Sequence, residues 1–406
     1  MKMLRGLGTA LLIGMACGPA VTAEIETRSL EELYAAALAE GGAFVLRAGG
    51  DKPDQVDYYL DMFKARFPEL KVTHSVDVSL NHAPRFDNAR AAGGEVNVPD
   101  VIQFQTLHDF HHYVEHDLLE VYRPRNWDKV FPDHKDPHGR WTGLYGVTFT
   151  NYVNMDLIEG KAPRDALDYL DPALKGKVIL TYPHDDDAVL YQFWNLKAAY
   201  GWEYLEKLVA TEPTWVRGTA MPYVAVNNGW YAASFTTFWA FEPFAGMNTQ
   251  LLFPEEDYFL TWYQTAAIPR QAKNKAAAKL YLNWMLSEEF QGKWLQFPVR
   301  MDIEAPGGKK SVLHHNTSPG DFHRWMLKRD LVERFRLQMT QLIGPVHGPT
   351  PVEIDYSVKP GTPRPTGRCD HRHRPKDLAR RGSATRSRNM SRLHASPKFK
   401  RRSSKS

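Results

Sequence analysis

The chain has 406 residues, 43% apolar and 24% charged, with a formal net charge of +4, a composition able to bury one large core or two moderate ones. Charge is segregated: from residue 368 onward fourteen Lys and Arg face two Asp, residues 1–23 carry two cations, and residues 24–367 are left at −10. An acidic body excludes nucleic acid as its partner. Both cysteines, Cys17 and Cys369, lie outside that body, which excludes a disulfide framework, thiol nucleophiles and thiolate metal sites from it.

Residues 1–23 read as a cleaved secretory signal: Lys2 and Arg5, an apolar run over 7–16, then the small-residue exit Val21-Thr22-Ala23. Cys17 offers lipid attachment as the alternative, although Gly14 stands where such signals carry leucine. No later segment reaches eighteen consecutive apolar residues, so a soluble secreted or periplasmic protein is expected. Ser29 with Glu32 forms a capping box ahead of Leu30, Leu33, Tyr34, Ala37 and Leu38, predicting a helix that closes at Gly41-Gly42. A buried strand over 43–48 leads into Gly49-Gly50-Asp51-Lys52-Pro53, and Val56, Tyr59, Leu60, Phe63 and Phe67 mark the next helix. Strands follow over 72–78 and 100–104. Gln105-Thr106 then opens a His-rich helix ending near Leu119.

His108, His111, His112 and His116 have i, i+4 spacings that suit a metal. There is no H-E-x-x-H arrangement, and Tyr113 with Leu118 fits an ordinary amphipathic helix, so no metal and no cofactor are assigned. Residues 140–154 (RWTGLYGVTFTNYVN) alternate aromatic and β-branched residues as a long strand, or a pair, that could cross between two lobes.

The stretch 178–194 (VILTYPHDDDAVLYQFW) predicts a strand, a polar loop and a helix. A loop at the carboxyl end of a strand is a ligand position in α/β sheets. Three carboxylates there would repel an anion, so a cation or a hydroxyl-rich solute suits it. The commoner use of such aspartates is as the N-cap and acidic first turn of the helix, and both readings stand. A helix over 202–210, an aromatic segment over 225–244 and a returning strand over 259–268 follow. Ala277, Leu280, Tyr281, Trp284 and Met285 then make one helical stripe. Strands separated by helices imply a mainly parallel sheet. From residue 351 the chain reads as a basic disordered tail. The sequons at Asn316 and Asn389 permit glycosylation in a eukaryotic source.

The pieces SLEELYAAALAEGGAFVLRAGGD, VPDVIQFQTLHDF, LDPALKGKVILTYP and AKNKAAAKLYLNWMLSEEFQ with FPVRMD, in that order over residues 28–350, resemble family 1 extracellular solute-binding proteins of ABC importers, the iron(III), thiamine and polyamine branch. The resemblance implies a two-lobed type II periplasmic-binding fold of the α/β class, with mixed, mainly parallel sheets and flanking helices. Lobe 1 would comprise 24–150 and 259–350, and lobe 2 would comprise 151–258. It implies closure on a solute by a hinge motion. By position it places Gly50, Asp51, Gln105, Thr106, Thr150, Asn151, His184, Asp185, Asp186, Asp187, Phe238 and Trp239 in the cleft.

Iron(III) binders of the family have paired tyrosines where this chain has Phe238 and Trp239. Neither can give a ferric ion a hard oxygen, whereas their rings offer flat faces to an organic ring or an alkylammonium group. The expected function is capture of a small organic solute, a cation among the candidates, for ABC-type uptake by a monomer that meets importer membrane subunits. Ferric binding and a secreted enzyme are the alternatives. Enzymatic relatives use a cysteine that the body here lacks, which leaves His184 with a carboxylate as the conceivable catalytic pair. An adhesive role for the basic tail is a third reading.

Overall fold

The Ser29 hydroxyl accepts the Glu32 N–H at 3.1 Å, and the Glu32 carboxylate accepts the Ser29 N–H at 2.7 Å. These two bonds start α1 (Leu30–Ala39) where the sequence places it. Ser29→Ala is expected to cost about 1 kcal/mol, measurable by urea unfolding. The computed structural model describes residues 23–92 and 98–361, so the expected signal up to Thr22 and the chain beyond Gly361 lie outside the described residues.

Three successive strand–helix units follow: β1 (Ala43–Gly49) and α2 (Asp57–Arg66), β2 (Lys71–Asp77) and α3 (Ser79–Ala91), β3 (Val101–Phe104) and α4 (Leu107–Glu115). The stretch 140–154 resolves into β4 (Thr142–Phe149) and β5 (Asn151–Asn154), which belong to different sheets. Next come β6 (Ile179–Thr181), α5 (Asp187–Ala210), β7 (Thr214–Val216), α6 (Ala220–Asn227), β8 (Ala233–Ser234) and β9 (Thr249–Leu252). The chain returns through β10 (Leu260–Ala267) and closes with α7 (Lys275–Met285), α8 (Glu288–Gln291), α9 (Pro319–Met326) and α10 (Arg329–Ile343).

The main sheet has the order β2-β1-β3-β10-β4. β1 runs parallel to β2 and β3, while β10 is antiparallel to both β3 and β4, so β10 alone is reversed. Strands from 151–252 form two smaller sheets, β8-β5-β9 antiparallel and β6-β7 parallel. The fold is thus mixed α/β with a mainly parallel principal sheet and flanking helices. The helix expected over 202–210 is the second half of α5, continued past Gly201, whose φ of 78° breaks the helical path. Residues 351–361, assigned to the tail by composition, instead carry the turn Pro351–Glu353 and bury Pro351 against the body.

The stripe on α7 packs where its period directs it. Trp284 and Tyr281 meet Phe63 of α2 at ring-centroid distances of 5.3 and 5.4 Å, and Tyr281 meets Phe44 of β1 at 5.1 Å. Beneath the carboxyl end of the main sheet, the buried Gln103 amide donates to the Tyr59 hydroxyl at 2.7 Å and the Tyr145 hydroxyl at 3.0 Å. Its carbonyl oxygen accepts from Tyr281 at 2.7 Å. This network fixes the two phenols that form the floor of the site.

Candidate functional site

β1 ends at Gly49 and continues into Gly50 because a side chain at either position would clash. A Cβ on Gly49 would lie 2.0 Å from the Ser79 hydroxyl, and that hydroxyl accepts the Gln105 N–H at 2.9 Å. The close approach joins the ends of β1, β2 and β3 into one wall. Facing it are the loop before α5, the turn before α6 and Phe238, and between the two walls lies a cavity of about 220 Å³. Gly50, Asp51, Gln105, Thr106, Asp185, Asp186, Asp187 and Phe238 all line it.

The remaining expected positions lie elsewhere. Thr150 and Asn151 line a separate pocket of about 20 Å³, room for a single water. Thr150 donates to the Leu252 carbonyl at 2.8 Å, and the Asn151 carbonyl oxygen accepts from Tyr169 at 2.9 Å, so both are spent on joining β5 to its surroundings. His184 is buried, with its ring 5.3 Å from that of Tyr182, and does not line the cavity. Trp239 packs among Tyr223, Tyr152 and Phe244 at 4.7, 5.8 and 5.5 Å rather than against the cavity.

The acidic loop divides its labour. Asp186 is the N-cap of α5, accepting the N–H groups of Ala188 and Val189 at 2.8 and 3.0 Å, and it also accepts from the Gln105 amide at 3.2 Å. Asp185 is held by both arms of Arg217 at 2.9 and 3.0 Å. The Asp187 side chain, 6% exposed, is paired with Arg336 and with Arg329 at 3.2 Å. Arg336 also donates to the His184 carbonyl at 2.9 Å. Of the two readings of this loop, the N-cap holds for Asp186, while Asp185 and Asp187 are neutralised by guanidinium groups and all three still line the cavity.

Across the cavity, Asp51 reaches the N-terminus of α6. One carboxylate oxygen accepts from the Thr219 N–H, from the Thr219 hydroxyl at 2.8 Å and from the Ala220 N–H at 3.1 Å. Burial raises the Asp51 carboxyl above its usual range against the pull of these donors. Burial, and then the charge of Asp51, push Asp186 from 3.8 up to about 7. Among the described residues four aspartates and two arginines line the cavity, and after their ion pairs are set aside Asp51 and Asp186 are the carboxyls without a cationic partner. Tyr58, Tyr59, Tyr145, Phe238, Trp262 and Trp294 supply its aromatic faces.

A ferric ion fits this donor set poorly. The Tyr59 and Tyr145 hydroxyls are bonded to Gln103, and burial pushes Tyr59 up to about 12 and Tyr145 well above its ordinary value. Among the described residues no group of three or more His, Cys, Asp or Glu could hold a metal ion. The α4 histidines serve elsewhere, with His111 against His323 of α9 at 2.8 Å and His116 bonded to the His112 carbonyl at 2.8 Å.

Sequence reading missed Arg217, Arg336, Thr219, Gln55 and Gln264, which also line the cavity. Arg336 had a legible signal only in the stripe Val332, Phe335 and Met339, which announces α10 without saying where it docks.

Residues 59–311 match the family model of bacterial extracellular solute-binding proteins. Among solved structures, the iron-bound HitA from Pseudomonas aeruginosa is 17% identical at a TM-score of 0.56, with 73% of this chain and 99% of that one covered. AfuA from Actinobacillus pleuropneumoniae, with fructose-6-phosphate bound, is 21% identical at 0.57, over 74% and 98% of the two chains. An ABC-transporter substrate-binding protein from Agrobacterium tumefaciens is 14% identical at 0.62, over 76% and 97%. These likenesses establish a periplasmic-binding-protein fold. No curated protein matches the chain.

Proposed function

Because the chain belongs to the family of bacterial extracellular solute-binding proteins, we propose that it captures a small organic cation between two lobes, carried by the sheets of 24–150 with 259–350 and of 151–258, and delivers it to an ABC importer. The observation that carries this reading is the pair Asp51 and Asp186, two desolvated carboxyls coupled across an aromatic-lined cavity. An ammonium or ring cation placed between them relieves their mutual repulsion, while Phe238, Trp262 and Trp294 offer flat faces to its apolar part. The same cavity disfavours an anionic solute, since its arginines are already engaged by Asp185 and Asp187.

The reading fixes a pH dependence. Protonation of Asp186 competes with a cation, so affinity should rise with pH through about 7, the value at which Asp186 loses its proton. Calorimetric titration with thiamine and with spermidine between pH 5 and pH 8 tests this. At least one should bind, weakening by up to about tenfold per pH unit below 7. A solute whose affinity instead rises toward pH 5 would overturn the cation assignment. Turnover is not expected, because the ring of His184 does not reach the cavity and, among the described residues, no other histidine lines it. Constant solute mass during incubation with purified protein checks this point.

A further inference from the structure

Beyond the match to the family model, which stops at residue 311, the chain runs through α9 and α10, and the segment that follows, residues 344–361, reaches the cavity at Pro351. Pro351 lines the cavity. On one wall, the Tyr356 hydroxyl is shared between the Asp51 carbonyl at 3.3 Å and the Pro351 carbonyl at 3.1 Å, and the Lys52 ammonium lies 5.5 Å from the Tyr356 ring. On the other wall, Pro351 presses on Gly218, where an added Cβ would lie 2.8 Å from it. Tyr231 donates to the Pro360 carbonyl at 3.3 Å, and the Lys359 ammonium lies 5.2 Å over the Tyr231 ring. A single segment is thus fastened to both sides of the cleft. It is fastened at Asp51, whose carboxylate joins the walls by bonding the start of α6.

We propose that residues 344–361 are a clasp that holds Asp51 on the N-terminus of α6 and thereby sets how often the cleft opens and how long a solute stays. Cleft closure requires the Asp51 carboxylate to meet Thr219 and Ala220, and the clasp fixes the backbone that carries this carboxylate. The Gly218 conformation, at φ +70°, leaves space for Pro351 that no side chain could share. Opening therefore breaks two sets of contacts, the Asp51 bonds and the clasp's own, and loosening the clasp makes the first set easier to break.

The proposal rests on the two-walled cleft described above, and its test needs no solute, so its failure and that of the binding reading are separable. Amide hydrogen exchange on the full mature chain reads opening directly at Thr219 and Ala220, the donors to Asp51. In Tyr356→Phe the exchange of these two amides should quicken about tenfold, the loss of roughly one hydrogen bond, with the amides of β1 unaltered. Gly218→Ala, which displaces Pro351 and Asp51 from the opposite side, should do the same. Unchanged exchange at Thr219 and Ala220 in both variants would overturn the clasp. So would an equal quickening in β1, because the substitutions would then be destabilising the whole fold.

Discussion

At pH 8, Asp186→Asn is expected to raise the unfolding free energy by roughly 2–4 kcal/mol, although it removes a charged helix cap. Asparagine caps helices about as well as aspartate, so the bonds to Ala188 and Val189 survive. What the substitution removes is the cost of an ionised carboxyl in a desolvated site beside Asp51. The folded protein holds the Asp186 proton up to about pH 7, whereas the ordinary value is 3.8. Stability from this group is therefore complete below about pH 4 and is lost as pH climbs to 7. The variant should accordingly match the parent near pH 4 and exceed it at pH 8, with urea unfolding at the two pH values as the measurement. A variant less stable than the parent at pH 8 would mean that the Asp186 charge is compensated in the free protein. The same substitution should weaken a bound cation by at least about tenfold, since a charge-assisted contact is worth about 1.5–3 kcal/mol. Gained stability with lost binding is the signature of a group held in place for a ligand.

Arg336→Met is expected to cost about 2–4 kcal/mol by the opposite logic. The Asp187 side chain is 6% exposed and has Arg336 and Arg329 as its partners. Removing one guanidinium leaves a buried carboxylate half-compensated, and breaking a buried pair costs about 3–5 kcal/mol. The surviving bond to Arg329 brings the loss to the lower end of that range or just below it. Arg336 also anchors the His184 carbonyl, so the loop that carries Asp185 and Asp186 should loosen with it. The double variant with Asp187→Asn should recover most of the stability, which a double-mutant cycle by thermal or urea unfolding measures. A single variant as stable as the parent would show that α10 does not neutralise the loop.

Most of the fold was legible because its signals are local. The Ser29–Glu32 box, the Gly49-Gly50 turn and the α7 stripe each state their own structure within a few residues, and the segments resembling solute-binding proteins order them. The wall residues that follow strands, Gly50, Asp51, Gln105, Thr106 and the aspartates of 185–187, were legible for the same reason. The charge state of the cleft was not. Whether Asp185 and Asp187 are free depends on Arg217 and Arg336, which lie 32 and 149 residues away along the chain, and no periodicity records such a pairing. Thr150 and Asn151 sit between β4 and the rest of β5, where the hydrogen-bonding needs of β5 absorb their side chains. The clasp escaped notice because composition assigns its Pro- and Gly-containing run to the tail, while its order comes from Tyr356, Pro351 and Tyr231 finding distant partners.

The measurement that bears most directly on the central claim is native mass spectrometry of the protein purified without denaturation from its own source, read for a retained solute. The predicted result is one nitrogenous organic cation per chain, released by acidification below pH 5 and absent from the Asp186→Asn variant. Retention of a ferric ion, or of an anionic sugar phosphate, with Asp186→Asn indifferent, would contradict the account.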